Sequence, residues 1–228
     1  MNSKDNATKK QKNKKRRNPF RYWPFYFIKI TGALTVLMWL RPKRLYESKK
    51  AKKHVRGRAV AIANHSSYID PVALYTALWY RRVHILTMQE LFTKKIGNLF
   101  FRSALCIPVN RSGFNMETFR KSIEVLEEGD VLGIFPEGGI NHDSTVNSFK
   151  SGAALMALKG RAPIIPIYII PPKKWFNRIV IVTGEPINPV EICGETPNLR
   201  GIDELSQKLR EKEITLMEIY SKWKKTKS

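Results

Sequence analysis

Asn64, His65 and Asp70 fall within one stretch of seven residues, Asn64-His65-Ser66-Ser67-Tyr68-Ile69-Asp70. A carboxylate five positions after a histidine can turn back to hold one ring nitrogen, which leaves the other free to take a proton from a hydroxyl. A plainer reading competes with this. Asp70 followed by Pro71 is a common helix start, with the acid as cap, proline at the first helical position and His65 an incidental loop residue. On position alone the plainer reading is favoured.

Three further blocks carry groups of chemical interest. Phe135-Pro136-Glu137-Gly138-Gly139 follows an apolar run and offers a carboxylate on a glycine turn, though any surface turn can use such residues. Pro108-Val109-Asn110-Arg111 ends in a guanidinium, a planar group that grips phosphate through two parallel hydrogen bonds. The stretch Ala162 to Ile167 is an apolar strand framed by prolines, which taken alone reads as an edge strand.

The elements that must position these groups alternate. Strands are expected over Ala59 to Ala63, Val83 to Met88, Cys106 to Val109, Val131 to Phe135, Ile164 to Ile170 and Arg178 to Thr183. Helices are expected over Pro71 to Tyr80, Gln89 to about Arg102, Ser151 to Lys159 and about Asp203 to Lys224. Another helix, capped by Asn115, spaces Phe119, Ile123 and Leu126 at three- and four-residue intervals and stops at Gly129. This is an α/β body with a central mixed or parallel sheet and helices on both faces. The His65 loop and the Glu137 loop each follow a strand directly, where sites in such folds form.

The 228 residues suffice for one domain with short appendages, and 43% hydrophobic content excludes a disordered polyelectrolyte. The net charge of +22 demands an anionic partner, and its distribution narrows the choice. Residues 1–58 hold 19 of the 41 basic residues and only two acids, Asp5 and Glu47. The chain therefore divides into a basic tail (1–18), an aromatic and apolar anchor with a basic linker (19–56), and a nearly balanced body (57–228). The anchor opens with Phe20, Tyr22, Trp23, Phe25, Tyr26 and Phe27, aromatics suited to a headgroup boundary. Its apolar run, Ile30 to Leu40, is shorter than the roughly 20 residues of a spanning helix. Basic charge on both flanks favours an interfacial or re-entrant helix on an anionic surface. A core helix behind a disordered tail is the alternative. No zinc-finger spacing or RNA-binding aromatic pattern is present, so no specific nucleic acid is expected. Cys106 and Cys193 lack disulfide or zinc spacing and suit a reducing compartment.

Taken in order, the blocks resemble the glycerolipid acyltransferase superfamily, which includes 1-acylglycerol-3-phosphate acyltransferases. The likeness covers roughly residues 20–190. It rests on Asn-His-x4-Asp at Asn64, His65 and Asp70, on Gln89-Glu90-Leu91 through Arg111, on Phe-Pro-Glu-Gly from Phe135 to Gly138, and on Phe149-Lys150-x-Gly152 with the Pro163 to Ile167 strand. The resemblance implies a glycerol-3-phosphate acyltransferase-like fold with an N-terminal membrane-associated helical segment. It implies transfer of a fatty acyl group from acyl-CoA or acyl-carrier protein to the free hydroxyl of 1-acylglycerol-3-phosphate, giving phosphatidic acid in phospholipid biosynthesis, at the cytoplasmic face of the cell membrane.

In that reading His65 deprotonates the acceptor hydroxyl and Asp70 fixes the His65 tautomer. Asn64, Arg111, Glu137, Gly138 and Lys150 hold substrate. No serine or cysteine nucleophile, metal or cofactor beyond the acyl donor is required. One departure stands out: Gly139-Ile140-Asn141 replaces the Thr-Arg-Ser that often follows Phe-Pro-Glu-Gly in members, so Arg111 and Lys150 are left to hold the phosphate. Another lysolipid or a non-lipid acceptor, a thioester hydrolase, and a non-enzymatic basic binding module are the competing readings.

Overall fold

The computed structural model describes residues 19–110, 115–141, 146–172, 174, 177–194 and 198–226. The basic tail and Arg111 lie outside the described residues. Strand runs rich in Val, Ile and Ala are buried on both faces, as interior strands of a covered sheet must be. The strands are β1 (Lys43–Tyr46), β2 (Ala59–Ala63), β3 (Val83–Met88), β4 (Ile107–Val109), β5 (Val131–Ile134), β6 (Ile164–Ile170) and β7 (Val180–Thr183), of which β2 and β5 are buried throughout. They form one seven-stranded sheet in the order β1-β7-β6-β2-β5-β3-β4. The strands from β6 to β4 are mutually parallel, β7 runs antiparallel to β6, and β1 runs parallel to β7. The sheet is thus mixed, with helices on both faces.

The proline-framed strand β6 is not an edge. It lies between β2 and β7, and the tolerance has a local cause. Pro166 stands opposite Gly184, just past the end of β7, where its carbonyl accepts the Gly184 N–H at 2.9 Å and no return bond is needed.

Alternation along the strands sorts the core into two layers. Val60, Ile62, Leu132, Ile134 and Ile164 point to one face, covered by α4 (Met116–Glu127), α5 (Gly152–Lys159) and α7 (Leu199–Lys225). Ala59, Ala61, Ala63, Ile85, Ile165 and Ile167 point to the other, covered by α2 (Asp70–Ala77) and by Leu40 at the end of α1 (Trp23–Leu40). The small residues of that second face let α2 lie close. A Cβ on Gly133 would meet Leu74 Cδ2 at 2.8 Å and Ile85 Cγ1 at 3.1 Å, so only glycine fits there.

Several boundaries differ from the periodicity. The expected helix from Gln89 is a 3₁₀ turn (Gln89–Phe92) followed, after an extended Lys94, by α3 (Lys95–Ser103). The basic linker supplies β1, whose Lys43-Arg44-Leu45-Tyr46 has no strand-like hydrophobicity and pairs with β7 at the sheet edge. The last helix begins four residues early at Leu199, because the Asn198 side chain caps it through the Gly201 N–H. A short α6 (Pro189–Cys193) precedes it.

The N-terminal segment is helical as expected, and no helix among the described residues is long and apolar enough to cross a membrane. Tyr22, Phe25 and Leu40 of this segment are buried against the body. The Tyr22 hydroxyl donates to Glu128, the Arg82 guanidinium lies 4.6 Å from the Tyr22 ring centre, and Lys29 donates to the Arg81 carbonyl. Phe20, Trp23, Tyr26, Phe27, Ile30, Met38 and Trp39 stay exposed.

Candidate active site

β2 and β5 are adjacent and parallel, with Ile62 opposite Ile134. Their following loops therefore leave the same edge side by side, which brings His65 next to Phe135, Pro136 and Glu137. The imidazole of His65 stacks on the Phe135 ring at 4.4 Å between centres. Its Nδ1 lies 3.1 Å from Asp70 Oδ2. The other ring nitrogen, Nε2, has no hydrogen-bond partner among the described residues, and the side chain retains a small exposed area.

Asp70 is completely buried and does more than start a helix. The cap position belongs to Ile69, without a side-chain cap bond. Oδ2 of Asp70 accepts the N–H groups of Ser66 and Ser67, each at 2.7 Å, besides facing the imidazole. Its Oδ1 finds no partner. The carboxylate thus ties the loop backbone and the ring to one point, and Pro71 at the start of α2 fixes where that point lies.

Glu137 holds the second loop to the first. Its Oε1 accepts the His65 N–H at 3.2 Å, and its Oε2 faces the Asn141 side-chain amide and the Asn147 N–H, both at 3.3 Å. The Asn141 N–H donates to the His65 carbonyl at 2.6 Å. Asn141 thus closes the loop, and Ile140, which stands where Thr-Arg-Ser has its arginine, presents no cation.

Asn64, expected from the resemblance to hold substrate, frames the loop. Its amide donates to the Ile169 carbonyl at 2.9 Å and accepts the Ile169 N–H at 2.7 Å, which stitches the end of β2 to β6. Gly138 takes a positive φ of 74° at the turn, and the Lys150 side chain lies over it. A Cβ there would come 2.8 Å from Lys150 Cε and 2.9 Å from Nζ, so glycine keeps the lysine in place. The structure brings together His65, Asp70, Glu137, Gly138 and Lys150. Among the described residues no three His, Cys, Asp or Glu side chains converge as metal ligands.

One neighbour escapes a motif reading. Glu213 lies in the buried stripe Leu205, Leu209, Leu216 of α7, fully enclosed, and neither of its oxygens finds a partner. Burial, with the nearby negative charge of Glu137 adding to it, pushes its carboxyl well above the usual range. Its sequence signal is a glutamate on the apolar face of an amphipathic helix. The same α7 clamps the second loop, since Arg210 donates to the carbonyls of Val146 and Asn147.

Comparison with known proteins bears on the family and the fold. The family model described as Acyltransferase matches residues 44–170, a span that begins within β1, ends with β6 and contains every motif above. A 1-acyl-sn-glycerol-3-phosphate acyltransferase of Bacillus subtilis is 26% identical over 167 residues, which cover 71% of this chain and 82% of that one. A protein of the same description from Borreliella burgdorferi is 26% identical over 158 residues, and there the match covers 68% of this chain but 62% of the relative. The crystal structure of the 1-acyl-sn-glycerophosphate acyltransferase PlsC from Thermotoga maritima superposes with a TM-score of 0.61 over 86% of this chain and 79% of that one, at 21% identity, a likeness of fold. With more than half of its length matched by the family model and the motif residues assembled at one sheet edge, the chain belongs to the Acyltransferase family.

Proposed function

We propose that the protein transfers a fatty acyl group from an acyl thioester, acyl-CoA or acyl-carrier protein, to the free hydroxyl of 1-acylglycerol 3-phosphate, forming phosphatidic acid. The observation that carries this reading is the His65–Asp70 pair at 3.1 Å in a chain of the Acyltransferase family. With Nδ1 held by Asp70, Nε2 accepts the proton of the acceptor hydroxyl as its oxygen attacks the thioester carbonyl. The tetrahedral oxyanion then collapses, the C–S bond breaks, and the imidazolium returns its proton to the leaving thiolate. Asp70 stabilises the transient imidazolium without taking the proton. The N–H groups of Gly139 and Ile140, which have no acceptor among the described residues, are the oxyanion donors in this reading. Glu137 keeps the two loops in register, and Lys150 with Arg111 receives the acceptor phosphate.

The lipid acceptor gives a purpose to the exposed aromatics of α1. Bracketed by basic residues, this helix lies in the interface of an anionic membrane at its cytoplasmic face. The segment Gly139-Ile140-Asn141 favours a second reading of the acceptor, a different lysolipid, because Ile140 stands in the arginine position and supplies no charge to a phosphate.

The test is acyl transfer from labelled acyl-CoA and acyl-carrier protein to a panel of lysolipids, with His65→Ala beside the wild type. Transfer to lysophosphatidate that disappears in the variant supports the reaction and its base. Thioester consumption without an acylated product would overturn the transferase reading in favour of a hydrolase.

A further inference from the structure

Beyond α1, and apart from Trp79 and Leu199, the exposed large apolar residues follow the C-terminal ends of β2, β3 and β4. The 3₁₀ turn Gln89–Phe92 and α3 follow the C-terminal end of β3, and β3, β5 and β2 are parallel. They therefore leave the same sheet edge as the His65 loop. On α3 the side chains of Ile96, Leu99 and Phe100 are 84%, 71% and 52% exposed. Their spacing of three and four residues puts them on one face. No residue of α3 is fully buried and Phe101 alone of its large apolar residues is half-buried, although a surface helix of a globular domain normally buries its apolar stripe. Two other residues at this edge add to the rim, Tyr68, in the loop between His65 and Asp70, 84% exposed, and Met116, the first residue of α4, 68% exposed.

The charge around this face has one sign in α3 itself. Lys94 and Lys95 precede Ile96, Arg102 closes the helix, and the stretch Lys94 to Ser103 contains no acid. Apolar side chains flanked by exposed lysines fit the boundary between headgroups and acyl chains of an anionic bilayer. The face is also continuous with α1, which packs against α3.

We propose that α3 is a second lipid-docking element, separate from the N-terminal helix. It inserts Ile96, Leu99 and Phe100 into the surface of an anionic bilayer, so that the strand edge carrying His65 faces the lipid. The purpose of this contact rests on the lipid-acceptor reading above, but the contact itself does not. α1 alone leaves the protein free to rotate about one attachment. Two apolar elements, one beside the site, fix which edge meets the membrane, and an acceptor enters without leaving the bilayer.

The experiment uses the full chain and vesicles of mixed neutral and anionic phospholipid. Ile96→Glu with Leu99→Glu should weaken partition roughly tenfold or more, since two apolar side chains no longer enter the interface. Ile96→Trp should strengthen it. Both positions are exposed, so unchanged melting temperatures will show that the fold is intact. Transfer to a vesicle-embedded acceptor should fall with partition, while transfer to a short-chain acceptor in free solution should persist in the double variant. Partition of the double variant within about twofold of wild type would overturn the proposal. So would a wild-type dimer that the double variant splits without loss of vesicle binding, since a second copy would then be the occupant. Loss confined to the acyl-carrier-protein donor would likewise overturn it in favour of a protein partner. If the wild type transfers acyl groups to no acceptor, the catalytic reading fails while the partition measurements still decide this one.

Discussion

Oδ2 of Asp70 lies 3.1 Å from Nδ1 of His65 while accepting the N–H groups of Ser66 and Ser67 at 2.7 Å. Three donors at one buried oxygen leave the ring a single orientation and demand Nδ1–H. In Asp70→Asn the carbonyl oxygen in the Oδ2 position can still accept all three N–H groups, and the amide N–H₂ takes the place of the partnerless Oδ1, so what is lost is the negative charge that stabilises the imidazolium. The expected result is a loss of transfer of order 10²–10⁴-fold with little change in KM and an intact fold. Rates and a melting curve of that variant check it. A loss of only a few-fold would return Asp70 to the role of a helix-start residue.

Lys150 approaches the site from outside, its side chain lying over Gly138. A cation there that binds the acceptor's phosphate contributes a charge-assisted hydrogen bond, about 1.5–3 kcal/mol. Lys150→Ala should therefore raise KM for lysophosphatidate roughly 10- to 100-fold and leave a neutral lysolipid nearly unaffected. Steady-state kinetics with both acceptors decide it. Equal losses would remove Lys150 from phosphate recognition.

Much of this was legible in the residues themselves. Ala59–Ala63 and Val131–Ile134 are short apolar runs ending in polar turns, and the loops after them carry His65 and Glu137. Asn115 caps its helix as the spacing implied, accepting the Glu117 and Thr118 N–H groups. Other features depend on contacts far apart in the chain. The strand Lys43–Tyr46 has no pattern of its own and exists because β7 offers an open edge. Asn64 reads as a site residue because it adjoins His65, yet its partner is Ile169, 105 positions away. Pro166 suggests an edge until Gly184 shows which hydrogen bond is dispensable.

At the other end of the strands Asp130 joins Arg82 and His84. Burial alone would raise its carboxyl, but hydrogen bonds from His84 and Arg82 and the guanidinium charge outweigh that and bring it down to about 2. A folded value below the unfolded one, about 3.9, means stability that is fully present above the unfolded value and lost as pH falls from about 4 toward 2. The loss is on the order of 2 kcal/mol. Arg82 also stacks on Tyr22 and faces the Tyr26 hydroxyl at 3.4 Å, so the same pair secures the start of α1. Asp130→Asn should be less stable than wild type at neutral pH, and the difference should shrink between pH 4 and 2. Urea melts across that range measure it, and a difference independent of pH would contradict the assignment.

Glu213 carries the opposite sign. Its folded carboxyl is pushed above its unfolded value by burial first and by the charge of Glu137 second. Burial, aided by the negative charges of Glu213, Glu137 and Tyr220, also pushes the neighbouring Tyr168 hydroxyl up to about 12. Arg210 on the same helix is held by the Val146 and Asn147 carbonyls, and Lys212 is paired with Glu47. The folded protein therefore binds a proton that the unfolded chain releases near pH 4, and stability declines as pH rises from there through the folded value. Glu213→Leu removes both that decline and the unpaired buried oxygens in the stripe between Leu209 and Leu216. The variant should be more stable by about 1–3 kcal/mol at pH 8, and the advantage should narrow toward pH 5. Thermal melts at both pH values test it. An advantage of the same size at both would show that apolar packing, and not the proton on Glu213, sets the difference.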